Sequence, residues 1–273
     1  MQAKNGINKR LNKTVIMRSV SMKCKENKYK FLQVAWLTFA LFQISIISAL
    51  AQNSAKTVEL NYDFHHGLLG WTADFSDYPA GQEEFYELFA GIRYMPRKLT
   101  RVPRRGFYIQ GNNHSDDLFM FLKRRLGPED GIVANRAYQV QFVLTFASNA
   151  PSGCFGAGGA PGESVHLKAG ASPIEPLSVL YPDGWRYMNV DKGNQGNGGA
   201  AASVAGNIAN GIPCEQAIPF SPFAFVQRSH QHTTTVTANP NGELWLLVGT
   251  DSGFEAITRL YYQNIWVRLV SAN

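Results

Sequence analysis

Tyr138-Gln139-Val140-Gln141-Phe142-Val143-Leu144-Thr145-Phe146 is the stretch on which the fold of this 273-residue chain turns. Tyr138, Val140, Phe142, Leu144 and Phe146 recur at every second position, with Gln139, Gln141, Val143 and Thr145 between them. A period of two puts successive side chains on opposite faces of an extended strand, so one face enters a core. The pattern recurs downstream. From Leu260 to Val270 the expected sets are Tyr261, Ile265, Val267 and Leu269 on one side, and Tyr262, Asn264, Trp266 and Arg268 on the other. Glu243 to Val248, between Gly242 and Gly249, is a short apolar run that reads as a strand buried on both faces. Phe107-Tyr108-Ile109 and Val165-His166-Leu167 read as shorter strands. Asp116 to Arg125 is ambiguous, because Ser115 would cap a helix with acids in its first turn. Its centre, Leu118-Phe119-Met120-Phe121-Leu122, is apolar on every side and is read as a buried strand. The expected class is all-β.

Upstream the composition changes. Lys23, Lys25, Lys28 and Lys30 lead into an uncharged apolar run from Phe31 to Ala51 that ends Ala49-Leu50-Ala51. A positive region, an apolar region and small residues before a cleavage point at Gln52 are the layout of a secretory signal peptide. Met17 and Met22 are alternative starts. An uncleaved anchor is the competing reading, since about 20 apolar residues span a bilayer; Gln33, Gln43, Ser45 and Ser48 dilute the run. The expected division is therefore a signal segment over 1–51 and one β-sandwich domain over 52–273, exported to a periplasm or the exterior. Membrane contact would run only through an uncleaved leader. Beyond Ala51 the chain holds 17 Lys/Arg against 19 Asp/Glu, so the basic net charge of +6 belongs to the leader. The charge argument for a nucleic-acid partner falls with it.

Cys154 and Cys214 are the cysteines left after the leader, and in an oxidising compartment they are expected to pair. Closing a loop of this size stabilises by about 4 kcal/mol in the chain-entropy account. Both flank Gly-rich polar segments, Ala147 to Gly162 and Asp191 to Pro213, which read as long loops tied into a rim. Neither carries a Gly-x-Gly-x-x-Gly phosphate loop.

Val248-Gly249-Thr250-Asp251-Ser252-Gly253-Phe254-Glu255, followed by Thr258, Leu260-Tyr261-Tyr262, Asn264-Ile265 and Val267, resembles the last two strands of galactose-binding-like β-sandwiches. Tyr62-Asp63-Phe64 with Gly70-Trp71 resembles their opening strand and turn, and Gly131-Ile132, Asn135 and Tyr138 to Phe142 resemble their central turn-into-strand. The resemblance implies a jelly roll of two antiparallel sheets, the fold of many carbohydrate-binding modules. It departs at Gln263, where these domains commonly carry an acid, so no calcium site depending on that acid carries over. Gly111 to Arg124 and Ala150 to Cys154 resemble a group of uncharacterised exported bacterial proteins.

Asn112, Asn113, His114, Ser115, Asp116 and Asp117 form the densest polar cluster. Hard cations take oxygen ligands, so Asp117, and elsewhere Asp63, are the candidate metal ligands, with calcium in a structural role the cation they would suit; no other cofactor is expected. The plainer alternative is a polar turn whose side chains cap the backbone. His230 and His232 would point the same way on a strand, but no carboxylate follows them, and solvent-facing strand histidines are expected. Arg93, Arg97, Lys98, Arg101, Arg104 and Arg105, with Pro96 and Pro103, form a basic loop suited to an acidic polysaccharide or a phosphate surface, or simply solvated. For sugar faces, Trp185 and Tyr187 lie in a Pro/Gly-bounded segment and are expected to be exposed.

No spacing pairs two acids for glycosidase work, and no nucleophile elbow is present. With the export signal, the jelly-roll resemblance, the tethered loops and the spare aromatics, the expected function is non-catalytic glycan binding, with Asn112, Asn113, His114, Asp116, Trp185 and Tyr187 as ligand contacts. A polysaccharide hydrolase or lyase using the 112–117 cluster with Glu163, and a structural or adhesive envelope protein, are the alternatives.

Overall fold

The computed structural model describes residues 56–217 and 221–272. The leader expected over residues 1–51 lies outside the described residues. In chain order the first strands are β1 (Thr57–Asp63), β2 (Thr72–Ser76), β3 (Tyr78–Pro79), β4 (Phe89–Tyr94), β5 (Arg105–Asn112), β6 (Leu118–Leu126), β7 (Ala137–Ser148) and β8 (Val165–Ser172). They are followed by β9 (Ser178–Leu180), β10 (Trp185–Met188), β11 (Gly193–Asn194), β12 (Asn197–Gly198), β13 (Ser203–Asn207), β14 (Ala224–Gln231), β15 (Val236–Thr237), β16 (Leu244–Ser252) and β17 (Ile257–Ser271).

The pairings nest. β8 pairs with β13, β7 with β14, β6 with β16 and β5 with β17, all antiparallel. This is one long ribbon of four strand pairs, rolled so that successive pairs fall on alternate sheets. One sheet runs β14-β7-β17-β5-β4 with β1 and β15 at its margins, and the other runs β13-β8-β16-β6-β2. Such a roll is a jelly-roll sandwich, the architecture the sequence implied.

The core lies between the two sheets. Tyr138, Val140, Phe142, Leu144 and Phe146 are all buried there, as their alternation predicts. They face Leu167, Ala169, Leu246 and Val248 of the opposite sheet. Trp71, at the Gly70 turn, is fully buried and meets Tyr62 edge-on at 5.5 Å. Burying one such large apolar side chain is worth about 1.5–3 kcal/mol.

On β17 the expected faces need correction. The register to β7 shifts between Tyr262 and Asn264, so Gln263 is the extra residue of a β-bulge. A bulge inverts the phase of alternation. Leu260 and Tyr262 point inward before it, and Ile265, Val267 and Leu269 after it. Tyr261 turns outward and packs on Tyr108 at 4.7 Å.

Asp191 to Pro213 is also more than a loop. The chain from Pro173 to Ala202 is the tip of the ribbon, and it folds back over the outer face of the five-stranded sheet. There Phe119, Phe121, Leu247 and Ala202 form a second, smaller core, with Met188 and Val190 packed against it. Leu118, Met120 and Leu122 meanwhile face the main core. A strand with apolar partners on both sides has no polar face to show, which is why 118–122 gave no periodic signal.

Cys154 and Cys214 are bonded, with Cα atoms 5.1 Å apart. Ser152 N donates to Ile212 O at 2.8 Å and Cys214 N to Ser152 O at 3.0 Å, so the bridge does fasten loop to loop.

Candidate functional site: an aromatic rim beside a buried ion cluster

β10 is the middle strand of a small antiparallel sheet with β3 and β9. Met188 packs down onto the second core, so alternation turns Trp185 and Tyr187 to the opposite, outward face. Their rings are parallel within 11°, with centroids 6.3 Å apart. Tyr181 meets Tyr187 edge-on at 5.3 Å. Asp183 holds the group together. One of its carboxylate oxygens accepts from Trp185 N at 3.0 Å and the other from the Tyr187 hydroxyl at 3.3 Å. Trp185 and Tyr187 are half-buried rather than fully exposed, and Tyr181, which the sequence did not single out, is the more open ring at 44%.

The 112–117 segment divides its residues between structure and surface. Asn113 is buried and donates to Ser252 O at 2.7 Å and Phe254 O at 3.0 Å. Its carbonyl accepts from Ser115 N at 3.0 Å, so both ends of this amide are spent on the turn. Asn112 donates to the Glu87 carboxylate at 3.0 Å. Asp116 sits at φ +60° and its backbone carbonyl accepts from Gln195 Nε2 at 2.7 Å. His114 is exposed and stacks on Phe85 at 4.3 Å, with Tyr86 edge-on at 5.3 Å. Phe85 went unremarked in the sequence, although it is an aromatic residue among acids and is 60% exposed.

A short relay joins this turn to the platform. Ser115 Oγ donates to Asp77 O at 2.8 Å, and Asp77 N donates to Arg186 O at 2.6 Å. Glu83 accepts from the Tyr78 hydroxyl at 3.2 Å and lies 3.8 Å from Arg186. The turn that carries His114 is thereby tied through Asp77 to the strand that carries Trp185 and Tyr187.

Beneath the rim lies an ion cluster. Lys168 and Asp251 are fully buried and 2.7 Å apart. Lys192 approaches Asp251 at 2.9 Å, Asp77 at 3.2 Å and Asp117 at 4.0 Å. Lys168 also donates to Lys192 O at 2.9 Å and Asn197 O at 3.0 Å, which ties the ribbon tip to the sheet. Buried charges persist only when paired in this way. Burial pulls the Lys168 ammonium below its usual range. For Lys192 burial acts in the same sense, but the three carboxylates outweigh it and raise it. Burial likewise opposes Asp251, yet the two lysines hold its carboxyl below the usual range.

Asp117 titrates near 7, mainly because burial disfavours its charge and secondarily because Asp251 and Asp77 repel it, against the pull of Lys192. A folded value raised above the ordinary carboxylate value contributes stability below that ordinary value, and the contribution is lost as pH rises through 7. Asp117→Asn fixes the neutral form. The variant is expected to melt above the parent at about pH 8 and level with it at about pH 4. Melting curves across that range check this; a constant difference sinks it.

Asp63 stands in a separate network, with one oxygen 2.6 Å from Arg104 and the other accepting from His65 N at 2.9 Å. Among the described residues no three His, Cys, Asp or Glu side chains are grouped to hold a metal ion. Glu163 accepts from Gly153 N at 3.0 Å, beside the disulfide.

The histidines also depart from expectation. His232 is fully buried, and Ser203 Oγ lies 2.8 Å from both His230 and His232. Ser203 is on β13 and His230 on β14, so the contact staples one sheet to the other at their open edge. Burial lowers both histidines.

No family model and no curated protein matches this chain. Among solved structures it is similar to the carbohydrate-binding module TmCBM27, described for specific mannan recognition, at TM-score 0.34 and 12% identity, over 80% of this chain and 100% of that one. It is similar also to TmCBM61, in complex with β-1,4-galactotriose, at TM-score 0.31 and 7% identity, over 75% and 92%. A third is the K1 cleaved adhesin domain of Lys-gingipain from Porphyromonas gingivalis, at TM-score 0.33 and 10% identity, over 79% and 98%. Likenesses this distant establish no kinship.

Proposed function

We propose that this chain is an exported, non-catalytic glycan-binding β-sandwich, and that its ligand lies on the face of Trp185, Tyr187 and Tyr181 and extends toward His114 and Phe85. The observation that carries the reading is the pair of parallel, outward rings of Trp185 and Tyr187, 11° apart in plane and tied by Asp183. Flat rings held in advance offer an apolar surface to the C–H face of a sugar at little conformational cost. The Asp183 carboxylate stands beside them as a partner for hydroxyl groups. No cofactor is part of the proposal.

The test uses the chain from Gln52 onward on soluble and insoluble glycans. Trp185→Ala with Tyr187→Ala is expected to weaken the best ligand by about tenfold or more, equivalent to about 1.4 kcal/mol, with the melting temperature unchanged. Indifference of binding to this double substitution, or no ligand across neutral and acidic glycans, overturns the reading.

A further inference from the structure

A separate cluster lies on the other sheet, at the connection from β4 to β5. Between Glu87 and Asp116 there are six Lys/Arg and no acid, although acids outnumber bases 19 to 17 beyond Ala51. Half of those cations are already engaged. Arg104 lies 2.6 Å from Asp63, Arg105 donates to His65 O at 2.7 Å, and the Arg93 guanidinium rests 3.8 Å above the Phe89 ring. Arg97, Lys98 and Arg101 are exposed and, among the described residues, have no carboxylate within salt-bridge distance.

The loop has a defined shape. Met95 N donates to Arg104 O at 2.9 Å across its base, Leu99 N to Pro96 O at 2.9 Å within it, and Pro96 and Pro103 restrict its backbone. Together Tyr94, Met95, Arg97, Thr100, Arg101 and Pro103 line a groove of about 640 Å³, within the usual range for small-ligand sites. Met95 is buried, while the Tyr94 ring is 68% exposed.

We infer that this groove binds an anionic saccharide, with Arg97 and Arg101 holding its carboxylate or sulfate groups and Tyr94 lying against the sugar ring. Guanidinium forks match planar or tetrahedral oxyanions with paired hydrogen bonds. The concave lining with a buried Met95 suits a short anionic chain better than a flat bilayer surface. A single open ring offers no stacking series for successive bases. The inference does not rest on the Trp185 platform, which is on another sheet and uses other chemistry.

Polygalacturonate and dextran sulfate are the probes, with neutral dextran as the control, applied to the chain from Gln52 at low and raised salt. Binding to both anionic probes is expected, weakening as salt rises. Arg97→Ala with Arg101→Ala should reduce it at least about tenfold, because two charge-assisted contacts are lost, and should leave the melting temperature unchanged. The Arg97→Lys and Arg101→Lys pair should retain part of the binding, and Trp185→Ala should retain all of it. Undiminished binding by the alanine pair, or equal binding of neutral dextran, overturns the inference. So does tighter, arginine-dependent binding of anionic phospholipid vesicles or single-stranded DNA, which would reassign the groove to another polyanion.

Discussion

Replacing Asp251 by alanine is expected to destabilise the fold by about 3–5 kcal/mol, more than any other single change to the polar groups described above. Lys168 and Lys192 both contact this carboxylate, at 2.7 and 2.9 Å, and both are almost wholly buried. Removing it leaves two cations where water cannot reach them. Lys192 keeps Asp77 at 3.2 Å and Asp117 at 4.0 Å; among the described residues Lys168 keeps only backbone carbonyls. In a domain of this size such a loss lowers the melting temperature by about 10 °C. The damage should begin locally. The ribbon tip over residues 189–202 should become open to protease first, because the two lysines are what fasten it over Phe119 and Phe121. Lys168→Met combined with Asp251→Leu should recover much of the stability, since an apolar pair of similar volume is often neutral where an ion pair was buried. Urea denaturation of the three proteins decides this. A loss under about 1 kcal/mol for Asp251→Ala would mean that water enters the cluster and that the pairing does not hold the tip.

Cys154→Ser with Cys214→Ser is the second large effect. The bridge closes 60 residues, which corresponds to about 4 kcal/mol in the chain-entropy account, an upper figure because the loop is already ordered by β8 and β13. Far-UV circular dichroism should stay nearly unchanged, because Cys154 lies in a loop and Cys214 opens a four-residue helix, and neither belongs to a strand of the two sheets. If Asp191 to Pro213 were one long loop, as the sequence reads, all of residues 191–213 would loosen. The structure narrows this to residues 208–214, because 191–202 are pinned through Lys192 and β13 is paired to β8. Limited proteolysis with mass spectrometry reads both parts. Two free thiols in the protein produced in an oxidising compartment, or first cuts at 191–202, would overturn the account.

Much of the fold was legible in the residues. The alternation of Tyr138 to Phe146 fixed a strand and its inner face, and the Gly-bounded run before Gly249 fixed a strand covered on both sides. Local periodicity decides such features because it reflects backbone geometry alone. Cys154 and Cys214 paired as compartment and count suggested. The bulge at Gln263 escaped notice, because an extra residue in one strand is defined only by the partner it fails to match.

The candidate site was legible only in pieces. Trp185 and Tyr187 stand out by residue type and by their Pro/Gly-bounded segment, whereas the support from Asp183 and the ring of Tyr181 do not. Asn113 was chosen for chemistry that the turn consumes. Lys168, Lys192, Asp77, Asp117 and Asp251 are scattered over more than 170 positions, and nothing in one dimension marks them as one cluster. The sequence by itself determined the long core strands, their inward faces away from the bulge, and the disulfide, all set by short-range pattern or by count. Only the tertiary structure decided that a Gly-rich tip would fold over Phe119 and Phe121, bury four charged groups and present the paired rings of Trp185 and Tyr187. Burial and charge pairing depend on which distant segments share a volume, and that is settled when the ribbon rolls.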